Sequence, residues 1–284
     1  MVFLTGSKNL YEIVEIIADA LIAGYANWSD GDTAWTTADP SDSNARRCLL
    51  YTGDTADIYI ALEVINQPTL YDTGKYGEGL RITFSSSWDD VGHTYPISNM
   101  QTTVYPVGRS SGSLADLEYW RFAYYIWYEE NGFVLFSEPK VRSDSSYTYP
   151  FMLCIERTST KEYQDSQSNF WCYNECGNAG HRKNIIRPFV LEADPTSGYQ
   201  TLMDPRLNQD NNKVYCAFPL IHNTTDNQSP IFQSDFIIEW EPGKGLVSGD
   251  VISLDGDTKE YLIQELKCSI GVEYTLRYGI KMTA

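Results

Sequence analysis

The stretch that decides the fold is EYWRFAYYIWYEENGFVLFSEP, residues 118–139. Its two halves are runs of aromatic and apolar residues that meet at Asn131-Gly132, a dipeptide that accepts the positive φ angles of a tight type I′ turn. The pattern therefore predicts an antiparallel hairpin. Aromatic side chains fall on both faces of each strand, so we expect the hairpin either to be buried on both sides or to present an exposed face to a partner.

Further strands are predicted on both sides of this hairpin, where β-branched and aromatic residues alternate or cluster between polar loops. The predicted strands are DIYIALEVI (57–65), GLRITFSS (79–86), YTYPFMLCIER (147–157), KVYCAFPLI (213–221) and SDFIIEW (234–240). The sequence therefore predicts a mainly β fold: an antiparallel, sandwich-like body with one N-terminal amphipathic helix and a small C-terminal β appendage.

The helix is predicted over residues 9–24, where apolar residues repeat at helical spacing and acidic residues fall on other faces. Its apolar stripe consists of Leu10, Ile13, Val14, Ile17, Leu21 and Ile22. Gly24 ends the helix. Two interpretations share this stripe. In one the helix packs on the body of the protein, and in the other Ile13, Ile17 and Leu21 are the contacts with a neighbouring subunit.

Composition divides the chain into three regions. Residues 1–44 hold the helix and a loop rich in tryptophan and aspartate, and residues 45–240 hold the antiparallel β body. Residues 241–284 contain strand-like runs separated by an Asp-Gly turn, which we interpret as a C-terminal β hairpin or appendage. Three short strands there could instead extend the main sheet, and the sequence leaves both arrangements open.

Charge and composition disfavour several classes of function. The chain has 38 Asp and Glu against 21 Lys and Arg, a formal net charge of -17, so a surface that follows nucleic-acid phosphates would act against the field of the whole molecule. The N-terminal residues lack the basic and apolar regions of a secretory signal, and no stretch approaches ~18 apolar residues. We therefore expect no nucleic-acid or membrane partner, synthesis in the cytoplasm and reduced cysteines.

A possible zinc site lies in NFWCYNECGNAGH, residues 169–181, where Cys172, Cys176 and His181 are close in sequence. A closed zinc site needs four nitrogen or sulfur ligands, so the distant Cys154 or Cys216 would have to complete it. One pair of cysteines with a single histidine arises readily in a chain with six cysteines. We expect instead a polar surface loop after a short strand, with Cys172 buried, Cys176 in a turn, and no metal or cofactor.

The loop NWSDGDTAWTTADPSDSNARR, residues 27–47, raises the question of calcium. Its acidic residues are Asp30, Asp32, Asp39 and Asp42. Their spacing does not match the calcium loop in which ligands recur at alternate positions before a bidentate glutamate. We expect Trp28 and Trp35 to anchor this loop to the body of the protein.

No catalytic residue is predicted. The three histidines, His93, His181 and His222, are not accompanied by a nucleophile motif. A glycosidase needs only two carboxylates across a cleft, and 38 acidic residues leave that open. The adjacent pairs Asp89-Asp90 and Glu129-Glu130 would point to opposite faces on a strand, or into solvent in a turn.

The order of several segments resembles virion structural proteins of tailed bacteriophages. The segments are LYEIVEIIADALIAG (10–24), the tryptophan- and aspartate-rich loop, GLRITFSSSWDD (79–90), RPFVLEADPTSGYQTLMDP (187–205) and FPLIHNTTDNQSPIFQSDFIIEW (218–240). The resemblance implies a non-enzymatic, acidic, β-rich subunit of a neck, tail or baseplate, made in the host cytoplasm and located in the virion. Its partners would be copies of itself and other virion proteins, in rings of three-, six- or twelvefold symmetry.

Two other functions remain open. An acidic β protein rich in Tyr and Trp could be a carbohydrate- or receptor-binding module, because aromatic faces stack on sugar rings and carboxylates accept hydrogen bonds from hydroxyls. The third interpretation is a glycoside hydrolase, for which the sequence suggests no substrate. Oligomeric state separates the virion subunit from the binding module and the hydrolase, since a closed ring favours a virion subunit.

Overall fold

The computed structural model describes most of the chain. The described residues are 1–35, 46–53, 57–67, 76–95, 101–109, 121–139, 146–148, 150–157, 170–176, 184–186, 207–210, 213–223, 230–240, 245–254, 258–267 and 275–282. Together they form a helix and three antiparallel sheets of six strands each. The prediction of a mainly β fold with antiparallel sheets and one helix near the N-terminus is confirmed. No helix in these ranges is both long enough and apolar enough to cross a membrane.

The middle sheet is buried on both faces along its central strands. Its strands, in spatial order, are β1 (Val2–Lys8), β7 (Phe122–Glu129), β8 (Gly132–Pro139), β10 (Phe151–Arg157), β11 (Phe170–Cys176) and β12 (Asn184–Ile186). Along β8, Phe133 and Leu135 join one apolar core, whereas Val134 and Phe136 join another. Successive side chains of a strand point to opposite faces, so each face of the hairpin has its own core. Burial on both sides is therefore the arrangement found for the aromatic hairpin.

The N-terminal sheet and the helix cover one face of the middle sheet. The strands of this sheet, in spatial order, are β2 (Trp28–Asp30), β3 (Arg46–Tyr51), β4 (Ile58–Gln67), β5 (Tyr76–Ser85), β6 (Gln101–Arg109) and β9 (Ser146–Thr148). The helix α1 (Leu10–Gly24) buries its apolar stripe in the core that these two sheets share. Burial of such a stripe stabilises a short helix more than its intrinsic propensity does.

Polar contacts cap the start of α1 and tie its side to the N-terminal sheet. At its start, the backbone N–H of Asn9 donates a hydrogen bond to Oε2 of Glu12 at 3.0 Å, so one of the unpaired N–H groups at this end has a partner. On its side, the buried guanidinium of Arg47 in β3 donates to Asp19 of the helix at 2.9 Å and to Asp30 of β2 at 2.8 Å. Arg47 therefore joins the helix to two strands of the N-terminal sheet.

The C-terminal sheet covers the other face of the middle sheet. Its strands, in spatial order, are β13 (Leu207–Asp210), β14 (Lys213–Asn223), β15 (Pro230–Trp240), β18 (Thr275–Lys281), β17 (Glu260–Lys267) and β16 (Val251–Ser253). Because β18 pairs with β15, with Ile280 opposite Ile237, the strands within 241–284 extend a sheet. The sequence leaves an appendage and an extended sheet open, and the described strands form the extended sheet. Local turn signals could not show which strand β18 would join.

The turn of the central hairpin differs from the one predicted. Glu129 pairs with Gly132, so Glu130 and Asn131 form the loop. Gly132 has a φ of 136°, whereas Asn131 has no positive φ. The type I′ prediction is therefore wrong, because that turn needs a positive φ at both central residues. A Cβ at Gly132 would lie 2.0 Å from the carbonyl oxygen of Ile155 in β10, so close packing against the next strand requires this glycine.

The first strand, β1, is not predicted by the sequence. It pairs antiparallel with β7, with Val2 opposite Tyr128 and Lys8 opposite Phe122. β1 is a strand of the middle sheet, and α1 packs in the core on one face of that sheet. This part of the predicted region 1–44 is therefore integrated with the β body.

Candidate functional site

The cysteines considered for zinc do not converge. Cys172 and Cys176 lie on β11, fully buried in the core that contains α1. Cys154 lies on the opposite face of the same sheet, and Cys216 belongs to β14 of the C-terminal sheet. Cys176 is the last residue of a strand, which corrects the expectation that it lies in a turn. His181 lies outside the described residues.

Burial also keeps two of these thiols, those of Cys154 and Cys172, protonated. It raises the pKa values of Cys154 and Cys172 well above that of an ordinary thiol, whereas zinc binds the thiolate. Within the described ranges, no group of three or more His, Cys, Asp or Glu side chains is placed to hold a metal ion. The absence of bound metal in the whole chain remains a prediction.

The residues considered as subunit contacts lie inside the protein. Ile13, Ile17 and Leu21 are buried in the core between α1, the N-terminal sheet and the middle sheet. In this fold the stripe is already covered by the chain itself, so it has no surface to offer a neighbour. The structure therefore supports the interpretation in which the helix packs on the body of the protein.

The aspartate-rich loop is held by protein groups at its described residues. Asp30 pairs with Arg47 as described above, while Asp39 and Asp42 lie outside the described residues. The expected anchoring by tryptophan is confirmed, because Trp28 and Trp35 are both buried. The indole N–H of Trp28 also donates to the backbone oxygen of Glu130 at 2.7 Å, which ties the loop to the central hairpin.

The adjacent carboxylates considered for hydrolysis have separate structural contacts. Glu129 accepts hydrogen bonds from Nζ of Lys281 at 3.0 and 3.2 Å, and Glu130 accepts one from the side chain of Asn27 at 2.5 Å. Asp89 accepts hydrogen bonds from backbone N–H groups of its own turn, and Asp90 is exposed. These contacts do not arrange either pair as two carboxylates across a cleft.

A group of polar and aromatic side chains on the outer face of the N-terminal sheet is better organised. We call it the Asp32 cluster, and it consists of Asp32, Trp35, Trp88, His93 and Tyr95. The indole N–H of Trp88 donates to Oδ2 of Asp32 at 2.8 Å, and Nδ1 of His93 lies 2.8 Å from the same oxygen. The other oxygen, Oδ1, accepts the backbone N–H of Trp35 at 3.1 Å. One buried carboxylate thus orients side chains from two loops.

The electrostatics of the cluster fix the imidazole tautomer. Burial by itself raises the pKa of Asp32, but the hydrogen bonds from His93 and Trp88 outweigh it and hold the pKa below the ordinary carboxyl value. Asp32 is therefore ionised at neutral pH and only accepts hydrogen bonds, so the proton of their shared bond lies on Nδ1 of His93. The imidazole, with its side chain 37% exposed, keeps its second nitrogen for other contacts.

Backbone and ring geometry further define the cluster. His93 has a φ of 52°, an uncommon conformation for a residue other than glycine. It lies in the turn that the bridge between Asp89 and Thr94 closes. The rings form a chain, with centroids 4.7 Å apart for Trp35 and Trp88 and 6.2 Å apart for Trp88 and Tyr95. Trp35 is buried, whereas Trp88 and Tyr95 are partly exposed, so the chain of rings reaches the surface.

A second polar group is buried between the middle and C-terminal sheets. Glu156 of β10 accepts hydrogen bonds from Oγ of Ser234 at 2.9 Å and from the backbone N–H groups of Asp235 and Phe236 at 3.1 Å. Burial raises the pKa of Glu156 to about 8, against the lowering effect of the Ser234 hydrogen bond. Because Glu156 is buried, this carboxyl group joins two sheets and does not meet a substrate.

A hydroxyl network joins the same two sheets. The hydroxyl of Tyr278 in β18 donates to Glu175 of β11, and the hydroxyls of Tyr278 and Tyr173 lie 2.7 Å apart. Burial raises the pKa of Tyr278 well above that of an ordinary phenol, so the hydroxyl stays protonated and can donate. These buried side chains strengthen the contact between the sheets.

The edge of the middle sheet provides another surface. Among the described strands, β1 pairs only with β7 and so forms one edge of this sheet. Val2 and Phe3 are 45% and 48% exposed, which is high for large apolar side chains. Phe3 packs its ring on Trp127 with centroids 4.7 Å apart. This edge combines backbone groups that can pair with another strand and apolar side chains that can be buried by it.

Comparison with known proteins does not assign this chain. No family model, curated protein or solved structure matches it. The function must therefore be argued from the surfaces described above.

Sequence reasoning missed the Asp32 cluster. It considered Asp32 only as a possible calcium ligand and His93 only as a histidine without a nucleophile motif. The two residues are 61 positions apart and come together because strands β3 to β5 fold between them. The available signal was weak: acidic, aromatic and glycine residues occur in both loops, and this pattern is typical of ordinary turns.

Proposed function

We propose that the protein is a non-enzymatic structural subunit of a tailed-phage virion, part of a neck, tail or baseplate, and that it contacts copies of itself and other virion proteins. The observation that carries the proposal is the exposed edge of the middle sheet at β1. An extended segment of a neighbouring subunit can add to such an edge by backbone hydrogen bonds, and alternate side-chain contacts give specificity.

The composition of β1 favours this role. Soluble proteins protect exposed edges with charged residues, proline or bulges. β1 has Lys8 at its far end, but Val2, Phe3 and Leu4 leave its first half apolar. Pairing with a second strand would bury the apolar side chains and supply partners for the outward backbone groups. The acidic surface, with a net charge of -17, would at the same time oppose unspecific association.

The hydrolase alternative has less support among the described residues. The carboxyl group with the largest upward pKa shift there, that of Glu156, is buried between two sheets. The adjacent acidic pairs are held in separate structural contacts, as described above. A catalytic acid must reach the substrate, so these carboxylates favour a structural role over hydrolysis.

The proposal is tested by changing the edge. Val2→Lys combined with Phe3→Lys places a charge on each face of β1, and the matched control combines Val91→Lys with Val247→Lys, at positions that are 87% and 64% exposed. Both variants add the same charge. We expect the edge variant to lose incorporation into purified particles and assembly with neighbouring virion proteins, measured by mass spectrometry and mass photometry, while the control retains both.

Two outcomes would contradict the proposal. The wild-type chain could be absent from purified particles and remain monomeric with its neighbouring virion proteins. Alternatively, the edge variant could assemble as the wild type does. Melting temperatures of the isolated variants must be measured as well, because Phe3 also contacts Trp127 and its loss could weaken the fold itself.

A further inference from the structure

We propose that the exposed part of the Asp32 cluster, formed by Trp88, His93 and Tyr95, is a binding site for a neutral saccharide. This inference goes beyond the structural role, because it concerns a different sheet from the one that carries the exposed edge. Either proposal can fail without the other.

The contact groups of the cluster are held in place before a ligand arrives. Trp88 and His93 each lie 2.8 Å from the same carboxylate oxygen of Asp32. Asp32 is itself fixed, because its other oxygen accepts the backbone N–H groups of Ala34 at 3.0 Å and Trp35 at 3.1 Å. Side chains that are already ordered lose little entropy on binding, which favours ligands that make few contacts, as sugars do.

The backbone of the loop that carries His93 also favours a ligand site. His93 has a φ of 52°, in the left-handed region that glycine adopts without strain. A turn with only a connecting role would more commonly use glycine or asparagine at this position. Strained residues concentrate at ligand sites, where the surrounding structure holds them in place. Here the hydrogen bond to Asp32 and the bridge between Asp89 and Thr94 hold the histidine.

The exposed side chains of the cluster indicate the chemistry of the ligand. The partly exposed rings of Trp88 and Tyr95 offer apolar faces on which the C–H groups of a pyranose can stack. The second nitrogen of the His93 imidazole can form a hydrogen bond with a sugar hydroxyl. The net charge of -17 disfavours sialylated, sulfated or phosphorylated sugars. A neutral saccharide fits all three features.

The alternative is that the cluster only ties two loops together. In that case substitutions would change stability, and no sugar would bind. The two possibilities are separated by measuring binding and melting temperature on the same variants of the full chain. The probe is an array of neutral and acidic glycans, followed by calorimetric titration of the strongest neutral ligand.

Three variants make the test specific. Trp88→Ala removes the stacking face, and we expect its affinity for the neutral glycan to fall by about tenfold or more. His93→Asn keeps a residue that tolerates a positive φ and can donate to Asp32, while it removes the imidazole, and we again expect weaker binding. Val247→Ala shortens an apolar side chain that is 64% exposed and lies outside the Asp32 cluster and the β1 edge, and its affinity should equal that of the wild type.

The proposal is overturned if no neutral glycan binds above background, or if only acidic glycans bind. It is also overturned if folded Trp88→Ala binds the neutral glycan as tightly as the wild type. Should that variant fail to fold, His93→Asn gives the decision by the same comparison.

Discussion

At the scale of single residues, Gly132 is the glycine, among those that the structure describes, at which an added Cβ would clash most closely. It has a φ of 136°, and an added Cβ would lie 2.0 Å from the carbonyl oxygen of Ile155. Gly249 also has a positive φ, 97°, but a Cβ there would meet no atom within 4 Å. Comparing alanine substitutions at the two glycines therefore separates the energetic cost of backbone strain from that of a steric clash.

We predict that Gly132→Ala lowers the free energy of unfolding by about 3 kcal/mol or more, because strain and clash act together. Gly249→Ala should lower it by about 1 kcal/mol, since only the strain applies there. Urea denaturation followed by circular dichroism measures both values. Equal losses for the two variants would show that β10 moves away from the added methyl group at little cost.

Glu156 makes stability depend on pH. Its pKa is raised to about 8 by burial, against an ordinary value of 4.5. Between these values the folded chain holds a proton that the unfolded chain has released, so the free energy of unfolding falls as pH rises. The stabilising contribution is complete below pH 4.5 and is lost as the pH passes through about 8.

We predict that Glu156→Gln removes this pH-dependent contribution to the free energy of unfolding. The difference in unfolding free energy between wild type and variant should change by up to about 1.4 kcal/mol per pH unit within that window, with the wild type relatively more stable at the acidic end. Denaturation curves from pH 5 to 8 provide the measurement, and Asp90→Asn controls for the loss of one charge at an exposed position. A constant difference across the window would mean that Glu156 is already ionised at pH 5.

At the scale of elements, α1 is part of the core. We predict that Ile17→Asp abolishes the cooperative unfolding transition or lowers its midpoint severely, because it buries an unpaired charge between two sheets. The control, Ala23→Asp, introduces the same side chain at an exposed position of the same helix and should cost less than about 1 kcal/mol. Thermal unfolding checks both. A folded, monomeric Ile17→Asp variant would instead indicate that the helix faces a neighbouring subunit.

The elements that could be predicted from the sequence are those with a repeated apolar pattern over a short stretch of chain. The helix and the hairpin each carry a repeated apolar pattern, and both are present. β1 was missed because Thr5, Gly6 and Ser7 break any alternation, and as an edge strand it buries too little to need one. The type I′ turn was wrongly predicted because the pairing of Glu129 with Gly132 makes Glu130 and Asn131 the loop residues, and not Asn131 and Gly132.

At the scale of the whole molecule, the arrangement of three sheets depends on contacts between distant residues. Aromatic residues on both faces of the central hairpin left open burial on two sides and an exposed face that meets a partner, and they could not show which sheets would cover the hairpin. Glu156 and Ser234, which join two sheets, are 78 positions apart. The Asp32 cluster likewise depends on a separation of 61 positions. Composition and local spacing contain no information on such pairs, which explains why the site was not predicted.

The middle sheet shares one core with the N-terminal sheet and α1, and another with the C-terminal sheet. Loss of either covering sheet would expose one apolar face of the middle sheet to water. Since that exposure is costly, the described sheets should unfold together. We predict that Phe84→Ala in the first core and Phe236→Ala in the second each lower the midpoint of one common transition, at a cost of about 3–5 kcal/mol.

Differential scanning calorimetry tests this prediction, with circular dichroism at far- and near-ultraviolet wavelengths as independent probes. For each variant the calorimetric and van't Hoff enthalpies should agree, and the two optical transitions should coincide with the heat-capacity peak. The contrary result is a low-temperature transition that appears in Phe236→Ala but is absent from Phe84→Ala. It would mean that the C-terminal sheet unfolds on its own, and that the buried contacts of Glu156 and Tyr278 do not couple it to the middle sheet.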